Sequence, residues 1–122
     1  MVDVLLISPS FKGMLREPMG LYYLAGVLNS NGVSASLMDL KMELPTRLGF
    51  RESIKKLKPR IVGTTSYTFN FSIVQNIVEE IKRAESNITT VMEEIHSSTL
   101  PEDVLRKTPS LDLILLVRAR LL

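Results

Sequence analysis

The sequence predicts an α/β fold: about five parallel strands in the order 2-1-3-4-5, forming one sheet between two layers of helices, a three-layer α/β/α sandwich. Three observations carry this prediction. Short β-branched or leucine-rich runs alternate with longer segments of helical spacing, the pattern that forces a parallel sheet covered on both faces. Crossovers between parallel strands are right-handed, which reduces the open arrangements of such a chain to the doubly wound, flavodoxin-like one. The chain has 122 residues, 45% of them hydrophobic, enough to bury one core without metal or disulfide staples.

Residues 2–7 read as a buried first strand, closed by Ser8-Pro9-Ser10. Pro18 stands where the first turn of a helix tolerates it, because the missing N–H would be unpaired there. Leu21, Leu24, Ala25 and Leu28 follow at i, i+3, i+4 and i+7 as one core-facing stripe. Asn31-Gly32 ends this helix, since glycine can take the left-handed conformation of a C-terminal cap. Residues 34–40 form a second strand, in which Ala35, Leu37 and Asp39 alternate poorly with Ser36, Met38 and Leu40, as expected where both faces are covered. Pro45 and Gly49 break the chain. Phe50, Ile54 and Leu57 then mark a narrow apolar stripe on a second helix, and Pro59 stops it.

Residues 61–65 are the third strand and lead into Ser66-Tyr67-Thr68-Phe69-Asn70. Asn70 is a candidate N-cap, with Phe69 and Val74 in the positions of a hydrophobic staple. Phe71, Val74, Val78 and Ile81, widened by Ile73 and Ile77, are the buried stripe of the third helix. Residues 88–92 form the fourth strand, followed by Glu93-Glu94-Ile95-His96-Ser97-Ser98 as a loop. Thr99-Leu100-Pro101-Glu102 has the spacing of a capping box, its helix ends near Pro109, and residues 113–117 are the last strand. No internal repeat, linker or low-complexity stretch interrupts this order, so residues 1–122 read as a single domain.

Composition narrows the function. The absence of cysteine excludes disulfide scaffolds, thiolate zinc sites, cysteine-bound iron–sulfur clusters and cysteine nucleophiles on this chain. A formal charge of +2, with basic residues scattered among acidic ones, gives no footprint for nucleic acid. The longest apolar runs, residues 4–7 and 113–117, are too short to span a bilayer and no charged-then-apolar leader opens the chain, so a cytoplasmic, non-membrane domain is expected.

In open α/β sheets ligands sit beyond the carboxyl ends of the strands, near the switch point between strands one and three. The loop after strand one, which contains Ser10, has one glycine and one lysine, both separated from the following helix, and so fails the spacing of a phosphate-binding loop. The end of strand one, Ser8-Pro9, carries no acidic residue to hold magnesium for phosphotransfer. After strand three, Thr64, Thr65, Ser66 and Thr68 place hydroxyls beside Tyr67 and Phe69, either as strand and capping residues or as the wall of a site for a planar ligand. After strand four, His96 is the only histidine; with Glu93 and Glu94 it is too close in sequence to offer a tetrahedral metal set. No serine lies in a Gly-x-Ser-x-Gly elbow, and Lys55, Lys56, Lys58 and Arg60 read as a solvated helix face.

The succession Val4-Leu5-Leu6-Ile7-Ser8-Pro9, then Pro18-Met19-Gly20-Leu21-Tyr22-Tyr23-Leu24-Ala25-Gly26-Val27-Leu28 closing on Asn31-Gly32-Val33, resembles the N-terminal cobalamin (B12)-binding domain of class B radical S-adenosylmethionine proteins. That family includes methyltransferases and anaerobic magnesium-protoporphyrin monomethyl ester cyclases. The likeness continues through Met38-Asp39-Leu40, Lys58-Pro59-Arg60-Ile61-Val62-Gly63, Thr65-Ser66-Tyr67-Thr68-Phe69-Asn70, Ile95-His96-Ser97-Ser98 and Leu100-Pro101-Glu102. It implies a flavodoxin-like domain that holds the corrin ring over the strand ends. By position, Ser10, Ser66, Tyr67, Thr68, Phe69, Glu93, Glu94, Ile95 and His96 would line the nucleotide tail and the lower corrin face.

Relatives of this kind carry two glycines where this chain has Glu93-Glu94, and two carboxylates there are expected to impair binding of a phosphate-bearing tail. Residues 8–13 contain no histidine, so that loop supplies no axial ligand to cobalt. Without cysteines for a radical S-adenosylmethionine cluster, the chain is expected to be non-catalytic alone, an accessory domain for a catalytic partner domain. The alternative is a non-enzymatic interaction or dimerisation module of the same fold that binds no cofactor, suggested by Leu121-Leu122 after Arg118 and Arg120. A flavin or nucleotide binder is a third reading, and it lacks a phosphate loop.

Overall fold

A computed structural model of the chain describes residues 2–8, 19–39, 47–66, 71–94 and 101–116. In chain order these hold β1 (Val4–Ser8), α1 (Met19–Ser30), β2 (Ala35–Asp39), α2 (Arg47–Leu57), β3 (Ile61–Ser66), α3 (Phe71–Ala84), β4 (Thr89–Glu94), α4 (Pro101–Lys107) and β5 (Leu113–Leu116). The five strands form one sheet in the order β2-β1-β3-β4-β5, with every neighbouring pair parallel, as the alternation of strand and helix signals predicts.

Strand periodicity sends alternate side chains to opposite faces. Leu5, Ile7, Met38 and Val62 point to one face and pack with Phe50 and Ile54 of α2 and Ile77 and Ile81 of α3. Beside them Val74 and Val78 of α3 meet Met92, Val104 of α4 and Leu111. The stripes read on α2 and α3 are therefore the ones that fill this core. The opposite face carries Leu6 and Gly63, so close that a Cβ on Gly63 would stand 3.2 Å from Leu6 Cδ2. There α1 lies over β1 and β2, with Leu21 buried and Leu24, Ala25 and Leu28 half-buried. Tyr22, Tyr23 and Val27 of α1 are exposed, as are Ile61 and Leu113.

The helix ends follow the expected chemistry. Gly32 takes a φ of 80° and its N–H donates to the Asn29 carbonyl (3.2 Å), while Val33 N–H returns to Leu28 (3.0 Å). The Asn29 side chain brackets Ala35, donating to its carbonyl (3.1 Å) and accepting from its N–H (3.0 Å), which fixes the entry into β2. Lys58 has a φ of 48°, a left-handed conformation just before Pro59, where the proline ring disfavours continued helix.

Between α2 and α3, Glu80 accepts from Arg51 Nε (2.6 Å) and Arg83 Nη1 (3.0 Å). Hydrogen bonding to this carboxylate raises the Arg51 pKa, against the opposing effect of burial. The start of β4 is tied to β5 by Asp112, whose Oδ2 accepts from Lys82 Nζ (2.6 Å) and from the Thr90 N–H (2.9 Å), while Thr90 Oγ1 donates to the Ser110 carbonyl (2.5 Å). Burial pushes the Asp112 pKa up, but the bonds from Lys82 and Thr90 together hold it below its ordinary value.

Several strand boundaries differ from the sequence reading: β1 begins at Val4 rather than at residue 2, β2 at Ala35, β3 runs on through Ser66 and β4 begins at Thr89. Strand β1 extends through Ser8, and β4 runs on through Glu93 and Glu94, which the sequence places in the following loop. Both glutamates are laddered to β3 on one side and β5 on the other, and pairing on two sides overrides the local preference of charged residues for a loop. The proposed N1 role of Pro18, the Asn70 cap, the Phe69 staple, the Thr99 half of the capping box and the terminal Arg118, Arg120, Leu121 and Leu122 lie outside the described residues.

Candidate functional site

The carboxyl ends of the strands are Ser8, Asp39, Ser66, Glu94 and Leu116. Parallel pairing without a register slip brings them to one edge: Ser8 faces Asp39, Thr65 faces Glu93, Ser66 faces Glu94, and Glu94 in turn faces Leu116. Strands β2 and β3 lie on either side of β1 and their connections leave in opposite directions, the arrangement that opens a crevice beyond the strand ends. Of the nine site residues read from sequence, the structure brings Ser66, Glu93 and Glu94 together on neighbouring strands, which run about 4.8 Å apart. Ser10, Tyr67, Thr68, Phe69, Ile95 and His96 lie outside the described residues.

Two positions at this edge acquire a meaning the sequence alone did not give them. Thr64, between Ile7 of β1 and Met92 of β4, is only 2% exposed, and its Oγ1 is buried with no hydrogen-bond partner. Leaving a hydroxyl buried and unpaired costs about 1–3 kcal/mol, so this atom is a vacant donor and acceptor beside the strand ends. Ser8, read as the start of a turn, is a buried final strand residue. A run of hydroxyl residues was visible in sequence; their burial depends on which strands arrive on either side.

The edge therefore offers hydroxyls from β1 and β3 and two adjacent acidic positions on β4. Among the described residues no group of histidines and carboxylates is placed to hold a metal ion, and no helix is long and apolar enough to cross a membrane. A cavity of about 390 Å³ lies at the other end of the sheet, lined by Ile54, Lys55, Lys58, Pro59, Glu85 and Ile88, well away from this edge.

The model of the B12 binding domain family matches residues 13–120. The chain is 31% identical over 123 residues to the anaerobic magnesium-protoporphyrin IX monomethyl ester cyclase of Rubrivivax gelatinosus, a match covering 91% of this chain and 21% of that protein. Its fold is similar to that of the radical S-adenosylmethionine methyltransferase TsrM from Kitasatospora setae, solved with cobalamin and a 4Fe-4S cluster bound, with a TM-score of 0.72, 23% identity, and coverage of 87% of this chain and 22% of that one. A CheY-like protein (TadZ) from Pseudomonas aeruginosa PAO1 shares the fold at a TM-score of 0.61 and 12% identity, over 97% of this chain and 90% of its own. The chain thus spans about a fifth of the length of the cyclase and the methyltransferase (21% and 22%).

Proposed function

The chain belongs to the B12 binding domain family, and from that premise we propose that it binds cobalamin at the carboxyl edge of its sheet, as the cofactor-holding domain of a radical S-adenosylmethionine enzyme. The observation that carries the reading is the family match across residues 13–120, which takes in four of the five strands and all four helices. The residues at the edge fit the group: the unpartnered Thr64 hydroxyl can accept or donate to a polar tail, and hydroxylated strand ends let a bulky cofactor approach the backbone.

In this reading Ser10, Ser66, Tyr67, Thr68, Phe69, Glu93, Glu94, Ile95 and His96 line the cofactor. Cobalamin, when bound, supplies a corrin-held cobalt that carries the chemistry, and the residues of this chain bind and orient it. The domain is non-catalytic alone, because its sequence has no cysteine to hold the cluster that radical chemistry uses; that chemistry belongs to a partner domain. Glu93 and Glu94 stand at the end of β4, and a carboxylate at either position disfavours a phosphate-bearing tail.

Titration of the purified chain with hydroxocobalamin tests this. Bound cofactor changes the visible corrin bands and co-elutes with the protein on gel filtration. Unshifted bands at protein concentrations of about 100 µM, a level that would populate even a weak complex, overturn the proposal.

A further inference from the structure

Helix α1 carries a surface that the cofactor reading leaves unexplained. From Pro18 through Met38 the chain has no charged residue, although 23% of the whole sequence is charged. On α1 the stripe Leu21, Leu24, Ala25 and Leu28 turns inward, so the helical repeat of 3.6 residues aims Tyr23, Gly26 and Ser30 outward, with Tyr22 and Val27 flanking them. Tyr22, Tyr23 and Val27 are 47%, 78% and 40% exposed. Interface cores are poor in charge and rich in tyrosine.

Gly26, at the centre of this face, serves no need of the fold. A Cβ there would meet nothing within 4 Å, and glycine φ is positive only at Gly32 among the described residues. A glycine inside a helix costs about 0.5–1 kcal/mol relative to alanine. What it gives is a shallow notch in an exposed apolar surface, through which another helix can come close.

We propose that this face packs against the same face of a second copy, the two α1 helices crossing antiparallel at Gly26. The distribution of bulk along the helix favours a second copy over an unrelated partner. Tyr22 and Tyr23 occupy the first half of the face, and the small residues Gly26 and Ser30 the second. A two-fold axis through the notch sets the tyrosines of one copy over the small residues of the other, twice, and an isologous contact of this kind is closed. Lack of charge removes the like-charge repulsion that a two-fold otherwise imposes where a charged residue meets its own copy. The area is modest. A helix of 12 residues is about 18 Å long, and two partly exposed tyrosines with Val27 fall short of the roughly 800 Å² per partner of a standard interface. Self-association is therefore expected to be weak, and protein concentrations of about 10–100 µM and above are the range in which it would populate.

Sedimentation velocity of the full chain across that range reads the proposal. A weight-average mass rising from 13.7 kDa toward twice that value with concentration is expected. Gly26→Leu fills the notch and is expected to raise the dissociation constant on the order of tenfold or more, while leaving thermal stability at low concentration equal or higher, since leucine is the better helix former. Tyr23→Lys, at the most exposed of these side chains, is expected to do the same, because it places an unpaired charge against the small neutral residues of the other copy. A strict monomer throughout, or a dimer that both variants leave intact, overturns the proposal; the first would mean that another partner covers the face, the second that the copies meet elsewhere.

Discussion

Thr64 is the residue whose chemistry is least settled by its own fold. Its hydroxyl is buried between β1 and β4 and meets no partner, so replacing it by the similarly shaped valine removes a polar group without opening a cavity. Thr64→Val is expected to raise the stability of the ligand-free chain by about 1 kcal/mol, read as a higher urea midpoint at unchanged slope; a loss of stability would show that the hydroxyl has a partner after all. The adjacent glutamates make the complementary case. Replacing Glu93 and Glu94 together by glycine is expected to tighten hydroxocobalamin binding by about tenfold, since about 1.4 kcal/mol of relieved repulsion has that effect; no gain in a spectral titration would remove the carboxylates as the cause of weak binding. At this scale the sequence was a partial guide. It gathered Thr64 with the other hydroxyls, but burial of a hydroxyl is decided by Ile7 and Met92 arriving on neighbouring strands. It ended β4 at Met92, whereas the ladders to Thr65-Ser66 and Leu115-Leu116 carry the strand on through two charged residues.

Among the elements, α2 and α3 were legible because their apolar residues keep helical spacing for about two turns and three turns respectively, and those stripes fill the core. Ile54 is fully buried among Phe50, Ile77 and Ile81, so Ile54→Ala leaves a cavity and is expected to cost about 2–5 kcal/mol in urea unfolding. Helix α1 was legible as a helix but less so as a buried one: it covers only the β2–β1 side of its face, and three of its four stripe residues stay half-buried. The tie between β4 and β5 was not legible at all. Lys82, Thr90 and Asp112 are separated in sequence and meet only when the strands pair. Because the folded pKa of Asp112 lies below its ordinary value, its ionised form stabilises the fold above the unfolded carboxylate range, near 3.9, and this contribution is lost as pH falls through the folded pKa. Asp112→Asn should therefore lower the urea midpoint near neutral pH, with a modest effect of about 1 kcal/mol because solvent screens the half-exposed carboxylate, and the gap from the parent chain should close in acid. A gap independent of pH would mean that the side-chain shape, not its charge, makes the tie.

Across the whole molecule each end of the sheet gathers its own set of residues. At the amino edge the connections are stitched to the strands by backbone hydrogen bonds: Val2 to Leu57 (3.0 Å), Asp3 to Ser34 (2.9 Å), Ile61 to Asp3 (3.1 Å), Thr89 to Arg60 (3.1 Å) and Asp112 to Thr90 (3.1 Å). Lys82 and Asp112 add their ties at the same end. The carboxyl edge is where Ser8, Thr64, Ser66 and Glu94 gather and where the switch between β1 and β3 opens. If cobalamin binds there, amide hydrogen exchange should report the two ends differently. Binding stabilises only states that retain the site, so exchange of the Ser8, Thr65, Ser66, Glu93 and Glu94 amides through local opening should slow, while locally exchanging amides at the amino edge, such as Asp3 and Arg60, should keep their rates. Amides that exchange only on global unfolding slow together at either end, by about a hundredfold when free ligand is a hundred times the dissociation constant, and serve as the internal standard of occupancy. Slowing confined to Lys55, Lys58, Glu85 and Ile88 would instead place the ligand in the cavity at the amino edge and remove the strand-end site from consideration.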